Sequence, residues 1–315
     1  MGHNLVKACI LLAVWNGEKY LPSLLDSLSS QSDGDFTVIW QDDGSTDNSL
    51  SLMRAHALKD SRFQEGSEGG RHFGAAGNFL SLLRQAKGDL IFLCDQDDIW
   101  EEHKVRCLKA AIAGAMRESG ESLPLLVHSD CSVIDQAGNQ LEPSFFRLQG
   151  WDPSAVDLPR LLVQNNATGC TMLLNRPLTD LVCRYGNPQT MFMHDWFIVL
   201  SAASFGRVIF ADEPLTRYRQ HGDNAIGASK SSLPVRALRA LRQRKKAKDR
   251  IRLTYTHTRA FRDSYGSALP EKASDTVSRY LATESLPKIS RILAVRRMGC
   301  VMQSPLTRLG QILFG

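Results

Sequence analysis

Three short apolar runs, each closed by a polar turn, constrain this chain more than anything else in it. Residues 6–14 run into Trp15-Asn16-Gly17. Residues 36–40 run into Asp42-Asp43-Gly44-Ser45-Thr46-Asp47, and residues 90–93 lead through Cys94 into Asp95-Gln96-Asp97-Asp98. Between them lie segments with helical periodicity. Residues 18–30 carry leucines at 21, 24, 25 and 28, with Pro22 in the first turns where proline is tolerated, and 75–86 carry Phe79, Leu80, Leu82 and Leu83. A helix over about 101–116 and a strand over 125–128 continue the alternation. Strands that alternate with helices predict an α/β fold, a mostly parallel sheet with helices on both faces. In such sheets ligands bind beyond the carboxyl ends of the strands, where all three polar turns fall. The second half is less regular. It reads as a strand over 168–175, helices over 177–184 and 194–204, and short strands over 208–210 and 215–218, with no internal repeat.

The net charge of +5 conceals two regions of opposite sign. Residues 230–315 hold 19 Lys and Arg against 5 Asp and Glu, a net of +14, while residues 1–229 hold 19 against 28, a net of −9. The charge step and the Gly/Ser/Pro-containing stretch near 227–234 divide the chain into a body over 1–229 and a basic, mainly helical extension over 230–315. No apolar run reaches the ~18 residues of a membrane span. The apolar start runs directly into a turn and reads as a strand, not a signal peptide. Seven scattered cysteines without a CxxC pair read as free thiols of a reducing, cytoplasmic setting.

The third turn carries the chemistry most directly. Residues two apart on an extended backbone point to the same side, so Asp95 and Asp97 face one point while Asp98 faces away or belongs to the turn. Two hard oxygen donors suit Mg2+ or Mn2+ with substrate phosphates as further ligands. The competing reading is a solvated acidic turn. Asp47 reads more simply as a helix N-cap than as a ligand.

The motifs occur in order: Ala13-Val14-Trp15-Asn16-Gly17, Asp42 to Asp47, Asp95-Gln96-Asp97-Asp98, His194-Asp195-Trp196-Phe197, and Tyr218-Arg219-Gln220-His221-Gly222-Asp223-Asn224. Over residues 5–225 this resembles a family 2 glycosyltransferase of the GT-A fold, in its rhamnosyltransferase-like branch of bacterial O-antigen and capsule synthesis. The resemblance implies an inverting transfer of a sugar, rhamnose among the candidates, from a dTDP or UDP donor to a saccharide or lipid-linked acceptor. It places Ala13, Trp15, Asn16, Glu18 and Asp43 around the nucleotide, and the Asp43 carboxylate can accept from a pyrimidine N–H. It makes Asp97 the direct metal ligand with Asp95 beside it, gives Asp98 the donor sugar, and brings Arg219 and His221 over the diphosphate, His221 also near the metal. Asp195 matches the catalytic base, and its apolar neighbours favour a raised pKa. Residues 168–171 and His128-Ser129-Asp130 read either as the floor of the sugar pocket and the acceptor side, or as core and turn.

Residues 235–252 read as a cationic helix with a narrow apolar stripe, suited to peripheral contact with the inner face of a membrane or to packing on the acidic body. Nucleic acid is the disfavoured partner, because the body is acidic. The rival to an enzyme is a non-catalytic GT-A-like scaffold or membrane-binding assembly protein.

Overall fold

The structure, a computed structural model, describes residues 7–191, 193–220 and 236–314. A nine-stranded mixed sheet runs through the body in the order β3-β2-β1-β4-β8-β6-β9-β5, with β7 paired to β6. The strands are β1 (Ala8–Val14), β2 (Phe36–Asp42), β3 (Phe63–Glu65), β4 (Leu90–Asp95), β5 (Ile99–Trp100), β6 (Leu125–Ile134), β7 (Gln140–Glu142), β8 (Met172–Asn175) and β9 (Arg207–Arg219). Neighbours β1–β2, β1–β4, β2–β3 and β6–β9 are parallel. β8 runs antiparallel between β4 and β6, and β5 and β7 lie antiparallel to β9 and β6. The expected mostly parallel sheet is present, with β8 as its internal reversal.

The helices are α1 (Leu21–Ser29), α2 (Ser49–Ala57), α3 (Gly74–Gln85), α4 (Lys104–Ser119), α5 (Phe145–Gln149), α6 (Leu158–Leu161), α7 (Arg176–Tyr185), α8 (His194–Phe205), α9 (Arg236–Tyr265), α10 (Glu271–Ala282), α11 (Lys288–Arg297) and α12 (Pro305–Phe314). Strand alternation divides the core between the two faces of the sheet. On β1, Ile10 and Leu12 join α1 and α4 on one face, while Cys9 and Leu11 join α3, α7 and α8 on the other. Burial on both faces explains why β1, β2 and β4 read as continuous apolar runs.

Two expectations change. The short strands at 208–210 and 215–218 are parts of one strand, β9, whose register against β6 shifts around Asp130 and accommodates Pro214. The strand expected over 168–175 begins as a 3-10 turn at Gly169–Thr171 and becomes β8 at Met172.

The basic extension is fastened to the body. Tyr255, Phe261, Tyr265, Ala273, Val277 and Tyr280 share one core with Trp196, Phe197 and Leu200 of α8. Phe197 and Tyr265 stack at 5.5 Å with rings 13° from parallel, and the Tyr265 hydroxyl lies 2.7 Å from Ser201 Oγ. Among the described residues, no helix is long and apolar enough to cross a membrane.

Candidate active site

The ends of β1, β2 and β4 stand side by side, since Ala13 pairs with both Gln41 and Asp95 and Val14 pairs with Asp42. The loops beyond them are bonded into one surface. Gln96 Oε1 accepts from the Trp15 N–H, and its Nε2 donates to the Trp15 carbonyl at 2.5 Å. A Cβ on Gly17 would sit 2.8 Å from Gln96 Cδ, so a larger residue there would push the Gln96 side chain off its two bonds to Trp15. Asn16, with φ of 51°, accepts from Thr46 N–H at 2.8 Å and donates its own N–H to Ser45 Oγ. The Glu18 carboxylate accepts from the backbone and side-chain N–H of Asn48 at 3.0 and 2.8 Å. Asn16 and Glu18 therefore brace the first two loops against each other. Asp47, expected as an N-cap, accepts from Ser49 N–H at 3.0 Å and from Glu18 N–H at 3.0 Å.

Asp43 is 3% exposed. Its carboxylate accepts from Phe73 N–H at 2.6 Å and Gly74 N–H at 2.9 Å, and His72 Nδ1 lies 3.1 Å away. It thus anchors the N-terminal end of α3. Trp15 is half-exposed, and its ring lies 5.5 Å from that of His72. Two accessible rings beside a fixed carboxylate can hold a flat heterocycle by stacking and one polar contact. His72 was not foreseen from sequence, because only the fold brings residues thirty apart together.

The carboxylates after β4 differ in setting. Asp95, partly exposed, has its pKa raised well above the usual carboxylate range, first by burial and then by the charges of Asp98, Asp97 and Asp195. Asp98 is fully buried and accepts from the Arg219 N–H at 3.0 Å. Burial, followed by the charge of Asp97, pushes it up to about 7. Asp98 thus ties the β4 loop to the end of β9. One oxygen each from Asp95 and Asp98 lies within 4.8 Å of the other and of Cys170 Sγ. Asp98 Oδ2 is buried and has no hydrogen-bond partner among the described residues. Clustered hard oxygens with raised pKa values and an unsatisfied buried oxygen fit a divalent cation, which would draw the protons off. Burial keeps Cys170 a neutral thiol, well above its ordinary range, so the oxygens are the donors that matter.

Arg219 is 3% exposed, and its guanidinium donates to the carbonyls of Asp97 at 2.8 Å and of Asp135 and Gln136 at 3.1 Å. That places it in the wall, holding the Asp97 loop. His221 lies outside the described residues.

Asp195 opens α8, and its charge is among those that bear on Asp95. Its Oδ1 accepts from Trp196 N–H at 2.7 Å, and the Trp196 indole N–H donates to Leu161 O at 2.7 Å. Burial pushes its carboxyl up to about 6, against the opposing pull of backbone N–H groups and Asn165. Gly169 permits the approach: a Cβ there would lie 2.9 Å from His194 Nε2 and 3.7 Å from Asp195 Cβ. The His194 ring stacks on Phe79 at 4.1 Å.

The largest omission of the sequence reading is Lys104. It is fully buried, and its ammonium donates to Cys170 O at 2.6 Å and Thr216 Oγ1 at 2.9 Å, 3.5 Å above the Trp100 ring. Burial lowers it to about 8, while Asp98 is among the groups that hold it charged. The ammonium thus joins the β4 loop region, the 3-10 turn and β9 under the acidic cluster. Lys104 shares the i, i+4, i+8 stripe of Leu108 and Ile112, and a lysine on a buried stripe is a legible signal. His128 and Asp130, by contrast, resolve as core. The His128 ring lies between Phe146 and Phe210, and Asp130 accepts from Ser144 Oγ and the N–H groups of Phe145 and Phe146.

Comparison with known proteins places this geometry. Residues 9–115 match the model described as Glycosyl transferase family 2. The dTDP-rhamnosyl transferase RfbG of Shigella flexneri is 26% identical over 232 residues, covering 69% of this chain and 74% of that protein. Among solved structures, Staphylococcus aureus TarS 1–349 in complex with UDP-GlcNAc superposes with a TM-score of 0.58 at 17% identity, covering 97% of this chain and 88% of that one. The chain spans about half of a longer TarS chain, 52%. The mannosyltransferase PcManGT of Pyrobaculum calidifontis, in complex with GDP-Man and Mn2+, gives 0.52 at 17% identity, covering 93% and 72%. At these identities the solved structures establish a shared fold.

Proposed function

The chain belongs to the family 2 glycosyltransferases of GT-A fold, and we propose that it is an inverting enzyme of bacterial surface polysaccharide synthesis. Its donor is a nucleoside-diphosphate sugar, with dTDP-rhamnose the first candidate because of the likeness to RfbG. UDP sugars are the next candidates. Its acceptor is a saccharide or lipid-linked saccharide.

The observation that supports this reading is the gathering of Asp95 and Asp98 oxygens where β4 ends, near enough to Asp195 at the start of α8 for its charge to bear on Asp95. The nucleotide base lies against Trp15 and His72 with Asp43 beside it, and Ala13 lines the strand end. Asp95 and Asp98, whose oxygens lie together, would hold Mn2+ or Mg2+, with Asp97 of the same loop as the further proposed ligand. When bound, that cation offsets the charge that collects on the leaving diphosphate. Asp195 accepts the proton of the acceptor hydroxyl. The hydroxyl oxygen bonds to the anomeric carbon from the face opposite the diphosphate, the carbon–oxygen bond to the diphosphate breaks, and the proton leaves Asp195 for solvent. A carboxyl with a pKa of about 6 is a usable base near neutrality, being mostly ionised yet more basic than an ordinary aspartate.

The test is a panel of nucleotide sugars incubated with the full chain and Mn2+, read by released nucleoside diphosphate. Turnover of one donor, lost on chelation, is expected. Failure of every donor to bind or turn over would overturn the reading.

A further inference from the structure

We propose that the outer face of α11 and α12 docks on an anionic lipid bilayer. Ten large apolar side chains are exposed among the described residues, and six of them lie from Leu253 onward. Five belong to one region: Leu286, Ile289 (75% exposed), Leu293, Leu309 and Leu313. A surface that exposes aliphatic side chains together, and not singly, marks an interaction site.

The two helices form one unit. The Lys288 ammonium donates to the Leu313 carbonyl at 2.6 Å, and Ile292, Val295 and Ile312 line a cavity between them. On α11 the exposed Ile289, Leu293, Arg296 and Arg297 follow i, i+4, i+7 and i+8 spacing, which puts the apolar pair and the cationic pair on one face. Residues 286–315 contain five Lys and Arg and no Asp or Glu. Gly310 of α12 lies against Ala247 of α9, and Lys245, Lys246, Lys248 and Arg250 next to Ala247 in sequence are exposed.

Charge selects the occupant. A two-fold contact with a second copy would set this cationic face against itself. A nucleic acid would leave Ile289 and Leu293 without apolar partners. An anionic bilayer satisfies both features, because leucine and isoleucine enter the acyl boundary while long basic side chains reach lipid phosphates. This adds the helices that follow it to the contact expected of the cationic helix over 235–252. It also stands independently of the donor and of the reaction, since neither enters the argument.

The experiment is flotation of the full chain with phosphatidylcholine vesicles, with and without phosphatidylglycerol. Binding only to the anionic vesicles is expected. Ile289→Ser with Leu293→Ser should weaken that binding at least about tenfold, as loss of two inserted aliphatic chains requires. The melting temperature and nucleotide binding of that variant should be unchanged, because both side chains are exposed. Arg296→Ser with Arg297→Ser should reduce the preference for anionic lipid. In an Ile289→Trp variant the indole emission should shift to the blue on adding anionic vesicles. Equal binding to neutral vesicles, no binding at all, or full binding by the Ile289/Leu293 double variant would each overturn the proposal. So would light scattering that shows a dimer broken by that double variant.

Discussion

Two sets of ionisable side chains are wholly or partly buried in this protein, and their settings differ. Asp95, Asp98, Asp195 and Lys104 lie at the carboxyl ends of the strands and act on one another through charge. His128, His194 and His257 lie among aromatic rings, and burial alone pushes each down to about 4. Both ring nitrogens of His128 and of His257 lack partners among the described residues. The first set is a charged assembly kept under tension, as an ion or substrate site requires. The second consists of neutral rings used as flat packing pieces. The contrast shows that burial of a titratable group does not by itself mark function; what faces the group decides.

Removing the acceptor-side carboxylate tests the first set most severely. Asp195→Asn should lower transfer by about 100- to 10,000-fold, the usual contribution of a positioned base, while nucleotide affinity changes little. Calorimetry with UDP or dTDP beside a product-release assay reads both. Retained transfer would remove Asp195 from the charged assembly and leave it a helix-start residue. In the active protein, transfer should rise with pH through about 6 as Asp195 loses its proton, and a flat profile across that range would break the assignment.

Lys104 is the next largest effect. Lys104→Met keeps the length of the side chain and removes the charge and the ammonium's two hydrogen bonds, leaving the Cys170 carbonyl only the longer bond from the Thr216 hydroxyl at 3.3 Å. A loss of about 2–4 kcal/mol in unfolding free energy is expected from denaturant titration. A near-neutral result would show that the carboxylates above it are not held by the buried cation.

The two sets were unequally visible in the amino-acid sequence. Asp95 and Asp97 stood out because a strand end is a local feature, set by periodicity over a few residues, whereas Asp195 was marked by the family resemblance of its His-Asp-Trp motif. The apolar runs of β1, β2 and β4 were legible for the same reason, since burial on both faces leaves no alternation to confuse. What joins distant segments was not legible. The contacts of Asp43 with residues 72–74, of Arg219 with the carbonyls of Asp97 and Asp135, and of Lys104 with Cys170 depend on the closed sheet. The continuity of β9 was hidden by Pro214 and the exposed Asp212 and Glu213, which interrupt its pattern at the register shift. For the extension the opposite charge left packing on the body open beside membrane contact. Its inner face, with Tyr255, Phe261 and Tyr265 on a stripe, was obscured by the dense basic residues around it.

A smaller effect separates the sets by the sign of their pH dependence. Asp98 holds its proton up to about 7 when folded, against 3.8 as its ordinary value. Between those values the unfolded chain has released a proton that the folded chain keeps. The contribution of Asp98 to stability is therefore full at low pH and falls as pH rises toward 7. Asp98→Asn removes this fall, so the variant should gain on the wild type between pH 5 and pH 8 in denaturant midpoints. Saturating Mn2+ should flatten the wild-type slope in the same window, because metal binding favours the ionised carboxyls. A variant that runs parallel to the wild type would mean that Asp98 is ionised in the fold.

The histidines have the opposite sign, and His257 tests it with the smallest effect. Its ring lies 4.5 Å from Trp196, tilted by 31°, and it is 1% exposed. The folded chain keeps it neutral down to about 4, whereas its ordinary value is 6.5. Its contribution is therefore present above 6.5 and is lost as pH falls through the range between. His257→Phe substitutes a ring that cannot protonate and needs no hydrogen bond. At pH 8 the variant should lie within about 1 kcal/mol of the wild type, since a buried imidazole without partners has little to lose. At pH 5 it should be the more stable of the two. The variant should leave nucleotide binding and transfer unaltered, in contrast to every substitution among the strand-end carboxylates. A His257→Phe protein that folds well yet loses activity would place this ring in the working site and erase the distinction between the two sets.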